Sequence, residues 1–269
     1  KARDIRFFNQ EQIRKLELPG NMAVVKPSPY THNIVAYWER PESDIRVYAL
    51  GWSSIRDDMQ AAYEAAKATQ KQLGIDAMLL PIDHLATRIY SQNREAAILE
   101  YLTLSSYYYW GSYDIADQNS STNVTKSVHY PNELECPAKV FTAANHPYFM
   151  NHLLTESPTE AFVRNFGPRL HHIAVAVADG EVEGMPNIDV VVQRLRDCGQ
   201  KFLLDVIGSK EEGLKQIFSS ASEYSSLIIE YVQRFGGFQG FFTKDNVAEL
   251  THAAGVEESL RALQEAAQA

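Results

Sequence analysis

Two stretches of the chain run through the same order of elements. In the first, from Ile82 to about Asn145, an apolar extended segment (residues 82–89) leads to a helical segment (93–102) capped by Ser91. Aromatic-rich extended sequence (107–113) and two further strands (127–130 and 138–144) follow. In the second, from His171 to about Arg234, a strand (171–177) precedes a helix that begins after Asn187 and stops at Gly199. Strands at 201–206, 214–219 and 226–234 complete it. Each block reads β-α-β-β-β. A module this small cannot bury its own apolar sheet face, so a repeated one is expected to pair with its sibling. The expected class is α+β: paired βαβββ modules forming a curved mixed sheet around a central cavity, with helical additions at both ends.

The domain reading follows from the repeat. Residues 1–81 form an N-terminal segment, a vestigial module at most, with irregular sequence to about 32, strands at 33–38 and 46–50, and a covering helix at 54–72. Residues 82–269 form the main domain, with modules at about 82–145 and 171–234. Its C-terminal stretch (245–269) reads as one or two amphipathic helices broken near Gly255. Length and composition allow a sizeable core, with 269 residues and 45% hydrophobic side chains.

A net charge of -9 argues against nucleic acid as a partner, because phosphate binding needs a basic stripe. No apolar run approaches a membrane span. Cys136 and Cys198 cannot form a disulfide framework and are expected to be buried thiols in a reducing, cytoplasmic setting. The chain opens on Lys1 rather than Met, which leaves room for sequence before it. The polar run 118–123 holds two Asn-x-Ser/Thr patterns and reads as a loop.

The chemistry-bearing residues sit at equivalent places in the two blocks. Ile-Asp-His opens the first at 82–84, and His-His-Ile-Ala-Val opens the second at 171–175. Side chains alternate faces along a strand. His172, Ala174 and Ala176 therefore share one roomy face, while His171, Ile173, Val175 and Val177 share the other. Glu230 interrupts an apolar strand, where a carboxylate is costly unless paired or metal-bound. Two imidazoles and a carboxylate with open positions suit iron(II). The plainer alternatives are core histidines and a Glu–Arg pair, and zinc, manganese or nickel would accept the same ligands.

Several segments then show a resemblance. Gly167-Pro-Arg-Leu-His-His-Ile-Ala-Val, Gln216-Ile-Phe, Glu230-Tyr-Val-Gln-Arg, Gly236-Gly-Phe and Lys244-Asp-Asn-Val-Ala-Glu-Leu resemble segments of the 4-hydroxyphenylpyruvate dioxygenase family, and Ile82-Asp-His is similar to its first-ligand segment. The resemblance runs from about 82 to 250. It implies the vicinal-oxygen-chelate fold (that of glyoxalase, bleomycin-resistance and extradiol dioxygenase proteins) and an Fe(2+) cofactor held by His84, His172 and Glu230. It also implies a substrate pocket that includes Gln216, Phe218, Phe238, Val247 and Asn145, with no catalytic residues beyond the metal ligands. His171 stands where the family usually has Gln. The family decarboxylates a 2-oxo acid and hydroxylates the same molecule.

Departures from the family pattern imply a rebuilt pocket. Val247 replaces one clamping Phe after an insertion at 239–243 that brings Phe241 and Phe242. Ser157-Pro-Thr-Glu replaces a Ser-Gln-Ile-Gln segment, and the N-terminal part is too short for the family's full N-terminal domain.

The function expected is a non-haem iron(II) dioxygenase acting on a small 2-oxo acid or related chelating acid. The alternatives are an extradiol catechol-type dioxygenase, or a non-redox small-molecule-binding protein of the same fold. The extradiol alternative asks for an acid–base His at the metal, and strand parity turns His171 away. The partners expected are a small-molecule substrate and dioxygen, with neither nucleic acid nor membrane among them, and assembly as a homo-oligomer is left open. Arg88 is read as a salt-bridge partner, residues 107–110 as sheet packing, and His129, His146 and His152 as solvated.

Overall fold

In a computed structural model, which describes residues 22–38, 57–130, 136–147, 150, 156–238 and 240–268, the two repeats become the two halves of one sheet. The chain divides into two compact units, Lys1–Asp76 and Ala77–Ala269. In the first unit, β1 (Met22–Val24) pairs antiparallel with β2 (Ala36–Trp38), and α1 (Asp57–Gln72) follows. β1 falls in sequence expected to be irregular. The strand expected at 46–50 and His152 lie outside the described residues.

In the second unit, the first module supplies β3 (Leu79–Arg88), α2 (Arg94–Leu104), β4 (Tyr107–Ile115), β5 (Ser120–Ser127) and β6 (Ala138–Ala144). Then come α3 (Pro158–Phe166), β7 (Arg169–Val177) and a two-residue hairpin pair, β8 (Glu181–Val182) and β9 (Met185–Pro186). The second module closes with α4 (Asn187–Asp197), β10 (Ile207–Ser209), β11 (Leu214–Phe218) and β12 (Ile228–Arg234). One helix, α5 (Lys244–Gln268), follows.

The strand order is β10-β11-β12-β7-β3-β6-β5-β4. Each module folds its last strand parallel to its first, and the two first strands, β3 and β7, meet antiparallel at the centre. The result is a curled, mixed eight-stranded half-barrel of the α+β class. No helix among the described residues is long and apolar enough to cross a membrane.

Several local expectations need correction. Ser91 does not cap α2: a 3-10 turn (Ser91–Asn93) precedes the helix, and the Ser91 hydroxyl meets Gln92 instead. The polar run 118–123 is mostly buried strand, because the Ser121 hydroxyl bonds across the sheet to the Ala143 carbonyl and the Ser120 hydroxyl meets Thr159 of α3. The strand expected at 201–206 reduces to one bridge, Phe202 to Ser219, and β10 lies just beyond it. Cys198 is exposed and Cys136 half-buried, since Cys198 lies past the last turn of α4.

α5 runs unbroken through Gly255, which serves packing rather than a break. A Cβ there would stand 2.7 Å from the Pro158 Cβ, so the missing side chain lets α5 and α3 approach. α3 itself was not expected. Its signal was present in Ser157-Pro-Thr-Glu: the Ser157 hydroxyl accepts from the Thr159 and Glu160 N–H groups, and proline occupies the first turn.

Lys139 on β6 is a buried cost. Its ammonium meets Thr87 Oγ1 and lies 5.4 Å from the Phe141 ring centroid, and no carboxylate pairs with it among the described residues. Burial pulls its pKa down to about 7. The folded state then binds fewer protons than the unfolded chain between pH 7 and the ordinary lysine value of about 10.4, so stability rises with pH across that window. Lys139→Met is therefore expected to stabilise by about 1–3 kcal/mol near pH 6 and by less near pH 9.5, measured by thermal unfolding at both. A gain that does not change with pH contradicts this account of Lys139.

Candidate metal centre

One lateral row across the middle of the sheet builds the site. Register sets Phe218, Glu230, Ala174 and His84 side by side on β11, β12, β7 and β3. His172 lies in the next row, beside Ile228 and Ala86. Laterally paired residues project from the same face. Ala174, fully buried between the His84 and Glu230 strands, leaves open the space on which their side chains converge.

The ligand-type atoms of His84, His172 and Glu230 all lie within 4.8 Å of one another. Glu230 Oε2 is 3.0 Å from His84 Nε2 and 3.3 Å from His172 Nε2. Two donors each about 2.1 Å from one metal and at right angles stand about 3.0 Å apart, so these separations suit a shared ion.

Proton placement makes the same point. His84 Nδ1 is 2.7 Å from Asp83 Oδ1, and Arg234 holds both oxygens of that carboxylate. Burial pushes the Asp83 carboxyl up, but Arg234 and His84 outweigh it and hold it well below the usual carboxylate range. His84 Nδ1 thus carries a proton and donates it. His84 Nε2 is then left buried, facing a carboxylate oxygen, without a hydrogen-bond partner. A lone pair aimed at an anion asks for a cation between them. Without a metal a proton fills that need: burial pulls His84 down, yet the Glu230 and Asp83 carboxylates raise it to about 9. Burial, together with the neighbouring positive groups, holds His172 well below the usual histidine range, as a neutral imidazole ligand requires.

Other side chains fix these three. Gln216 donates from Nε2 to Glu230 Oε1 at 2.5 Å, and Asn246 donates to Gln216 Oε1 at 3.1 Å. Asn246 reaches that position because Gly208, at φ +81°, offers no Cβ, which would stand 2.7 Å from Asn246 Nδ2. Phe241 and Phe242 pack edge-on to His84, their backbone N–H groups both donating to the Tyr113 hydroxyl.

A bulge changes the expected place of His171. Between the pairs Ala86–His172 and Thr87–Leu170, β7 advances two residues while β3 advances one. His171 is the extra residue, and its ring lines the cavity beside His172 instead of turning to the far face. Its Nδ1 is 2.8 Å from His172 Nδ1, and its Nε2 is 2.7 Å from Glu258 Oε1 on α5. Glu258 Oε2 in turn accepts from Arg88 at 2.6 Å. Arg88 is thus a salt-bridge partner, as expected, although it also borders the cavity.

Beside the three residues lies a cavity that is partly open to solvent. His172 and Glu230 open onto it, while His84 is wholly enclosed. Phe218, Phe242, Val140, Val247 and Leu250 give it apolar walls. Thr122, Thr142, Thr159 and Thr251 add hydroxyls, of which Thr142 Oγ1 is buried without a partner.

Of the residues expected in a substrate pocket, Phe218 and Val247 line this cavity. Gln216 lies behind Glu230, its amide consumed by Glu230 and Asn246. Phe238 packs over Gly213 and Gly240 and at the edge of the central core. Asn145 borders an open groove on the first module, bonding Asp114 and the Ser120 carbonyl. Trp110 packs on Tyr113 and Phe241, as sheet packing implies, and His129 and His146 are exposed.

Known structures share this architecture. A triple mutant of 4-hydroxymandelate synthase from Streptomyces coelicolor matches with a TM-score of 0.53 and 20% identity, over 67% of this chain and 56% of that one. Methylmalonyl-CoA epimerase from Mycobacterium tuberculosis matches at 0.44 and 16% identity, over 59% and 91%. A putative hydrolase from Shewanella frigidimarina matches at 0.47 and 19% identity, over 74% and 96%. No protein-family profile and no curated protein sequence matches the chain. At 20% identity the likeness to the synthase shows the fold alone, and the half-barrel is consistent with the vicinal-oxygen-chelate fold. The chain spans little more than half the length of the synthase.

Proposed function

We propose that the chain is a non-haem iron(II) dioxygenase that acts on a small 2-oxo acid or related chelating acid. The observation that carries the reading is the meeting of His84, His172 and Glu230 around one carboxylate oxygen, at the wall of a cavity. Iron(II) held there would supply Lewis-acid and redox chemistry toward a chelating anion and dioxygen.

This chain's own residues do the rest. Asp83 and Gln216 orient His84 and Glu230. Glu230 is the single carboxylate among the three ligands, so a divalent ion leaves the site at +1 and favours an anionic substrate, while Arg88 and Glu258 cancel one another. Phe218, Phe242, Val247 and Leu250 keep water from the reacting end. The unpartnered Thr142 hydroxyl offers a hydrogen bond to a polar group on the substrate's distal end. The fold shared with 4-hydroxymandelate synthase supports the reading.

The bulge brings His171 to the cavity, where an extradiol reaction would ask for an acid–base imidazole. Both of its ring nitrogens are engaged, however, by His172 and Glu258. That commitment favours the 2-oxo acid chemistry.

The test is anaerobic reconstitution with iron(II), followed by a panel of aryl and alkyl 2-oxo acids. The expected result is a weak visible charge-transfer band with one or more acids that decays on admitting oxygen, with carbon dioxide released. Turnover of catechols with no band from any 2-oxo acid contradicts the proposal.

A further inference from the structure

We propose that His171 and Glu258 are positioning residues that set which nitrogen of His172 is free to bind metal. The inference rests on the metal-centre reading above and adds to it a role for two side chains outside the ligand set.

The four groups form one chain of contacts. Arg88 Nη1 donates to Glu258 Oε2 at 2.6 Å, Glu258 Oε1 is 2.7 Å from His171 Nε2, and His171 Nδ1 is 2.8 Å from His172 Nδ1. All four residues are buried. Neutral histidine has one ring proton, so a single choice at one end fixes the whole chain. Burial raises the Glu258 carboxyl and the Arg88 guanidinium 2.6 Å from its Oε2 opposes this; paired with Arg88 as a carboxylate, Glu258 can only accept. His171 must then hold its proton on Nε2 and accept on Nδ1. His172 must hold its proton on Nδ1, and its Nε2, the nitrogen 3.3 Å from Glu230 Oε2, is left bare.

Run in the opposite direction, the chain would place a proton on His172 Nε2, facing Glu230, and no metal would bind there. A carboxylate partner across an imidazole is an ordinary support for a metal ligand. Here it acts through a second imidazole, and this requires the bulge that turns His171 to the side of His172.

An isosteric variant tests the direction. In Glu258→Gln, the amide oxygen is drawn to Arg88, so the amide N–H turns to His171 Nε2 and the chain reverses. In His171→Gln, a side-chain amide can still donate to Glu258 and accept from His172 Nδ1. His171→Phe removes both bonds.

The readouts are the affinity for iron(II), with cobalt(II) as the spectroscopic probe, and the imidazole nitrogen resonances of the unmutated, metal-free protein. The expected results are a roughly 10- to 100-fold loss of affinity in Glu258→Gln and His171→Phe, affinity within about threefold of the unmutated protein in His171→Gln, and protonation of His172 at Nδ1 and His171 at Nε2. Equal affinity and an unchanged cobalt spectrum in Glu258→Gln overturn the proposal while leaving the metal centre standing. Protonation of metal-free His172 at Nε2 does the same, and needs no variant to fold. Failure of the unmutated protein to bind either metal overturns the metal-centre reading, and this proposal with it.

Discussion

Glu230→Ala is expected to abolish metal binding. One oxygen of this carboxylate approaches both imidazoles, and the other accepts from Gln216, so the substitution removes the anion on which the three ligands are organised. The loss should exceed the roughly hundredfold that removal of a supporting residue alone costs. Thermal unfolding reads it directly. A metal that binds only the folded protein adds about 2.7 kcal/mol at a hundredfold excess over its Kd, and that gain should disappear in the variant. The metal-free variant should also titrate differently at His84, whose raised value of about 9 depends on the Glu230 and Asp83 carboxylates. A variant that still gains stability from iron(II) contradicts the assignment of Glu230.

Ala174→Leu should be nearly as damaging to metal binding, although Ala174 carries no chemistry. The residue is fully buried and lies in register between His84 and Glu230. Three added carbons enter the space where their side chains converge. Overpacking of this kind costs about 1–3 kcal/mol of stability, and the displaced ligands can no longer meet around one ion. Ile173→Leu is the control, because Ile173 is half-buried on the other face and the volume is unchanged. Denaturant unfolding and iron(II) titration of both variants check the pair. Metal affinity in Ala174→Leu equal to the unmutated protein would falsify the proposed geometry.

The repeat was readable because its signals are local and strong. Each module opens on a run of branched apolar residues and reaches a helix with clear stops, so β3, β7, β11, β12 and α4 fall within a few residues of their expected places. The face of β7 that carries His172 and Ala174 followed from strand alternation alone. His171 defeated the same rule, because a bulge is a property of two paired strands and leaves no mark in one of them.

Glu258 and Asn246 were invisible for a related reason. They sit on α5, far along the chain from the residues they support, and a carboxylate on an amphipathic helix looks solvated until its neighbours are known. β5 was missed because its polar side chains read as a loop, while in the fold Ser121, Asn123 and Thr125 donate to carbonyls of β6, Ser120 meets Thr159 of α3, and Thr122 adds a hydroxyl to the cavity wall. α3 is legible in Ser157-Pro-Thr-Glu, where a capping Ser is followed by Pro in the first turn and by Glu three residues on.

The central claim is that a single metal ion is shared by His84, His172 and Glu230. Anomalous diffraction from crystals grown anaerobically with iron(II), collected on both sides of the iron edge, addresses it most directly. The account predicts one iron peak per chain, about 2.0–2.2 Å from His84 Nε2, His172 Nε2 and a Glu230 oxygen. No peak at that place in crystals equilibrated with excess iron(II), or a peak held by other residues, contradicts it.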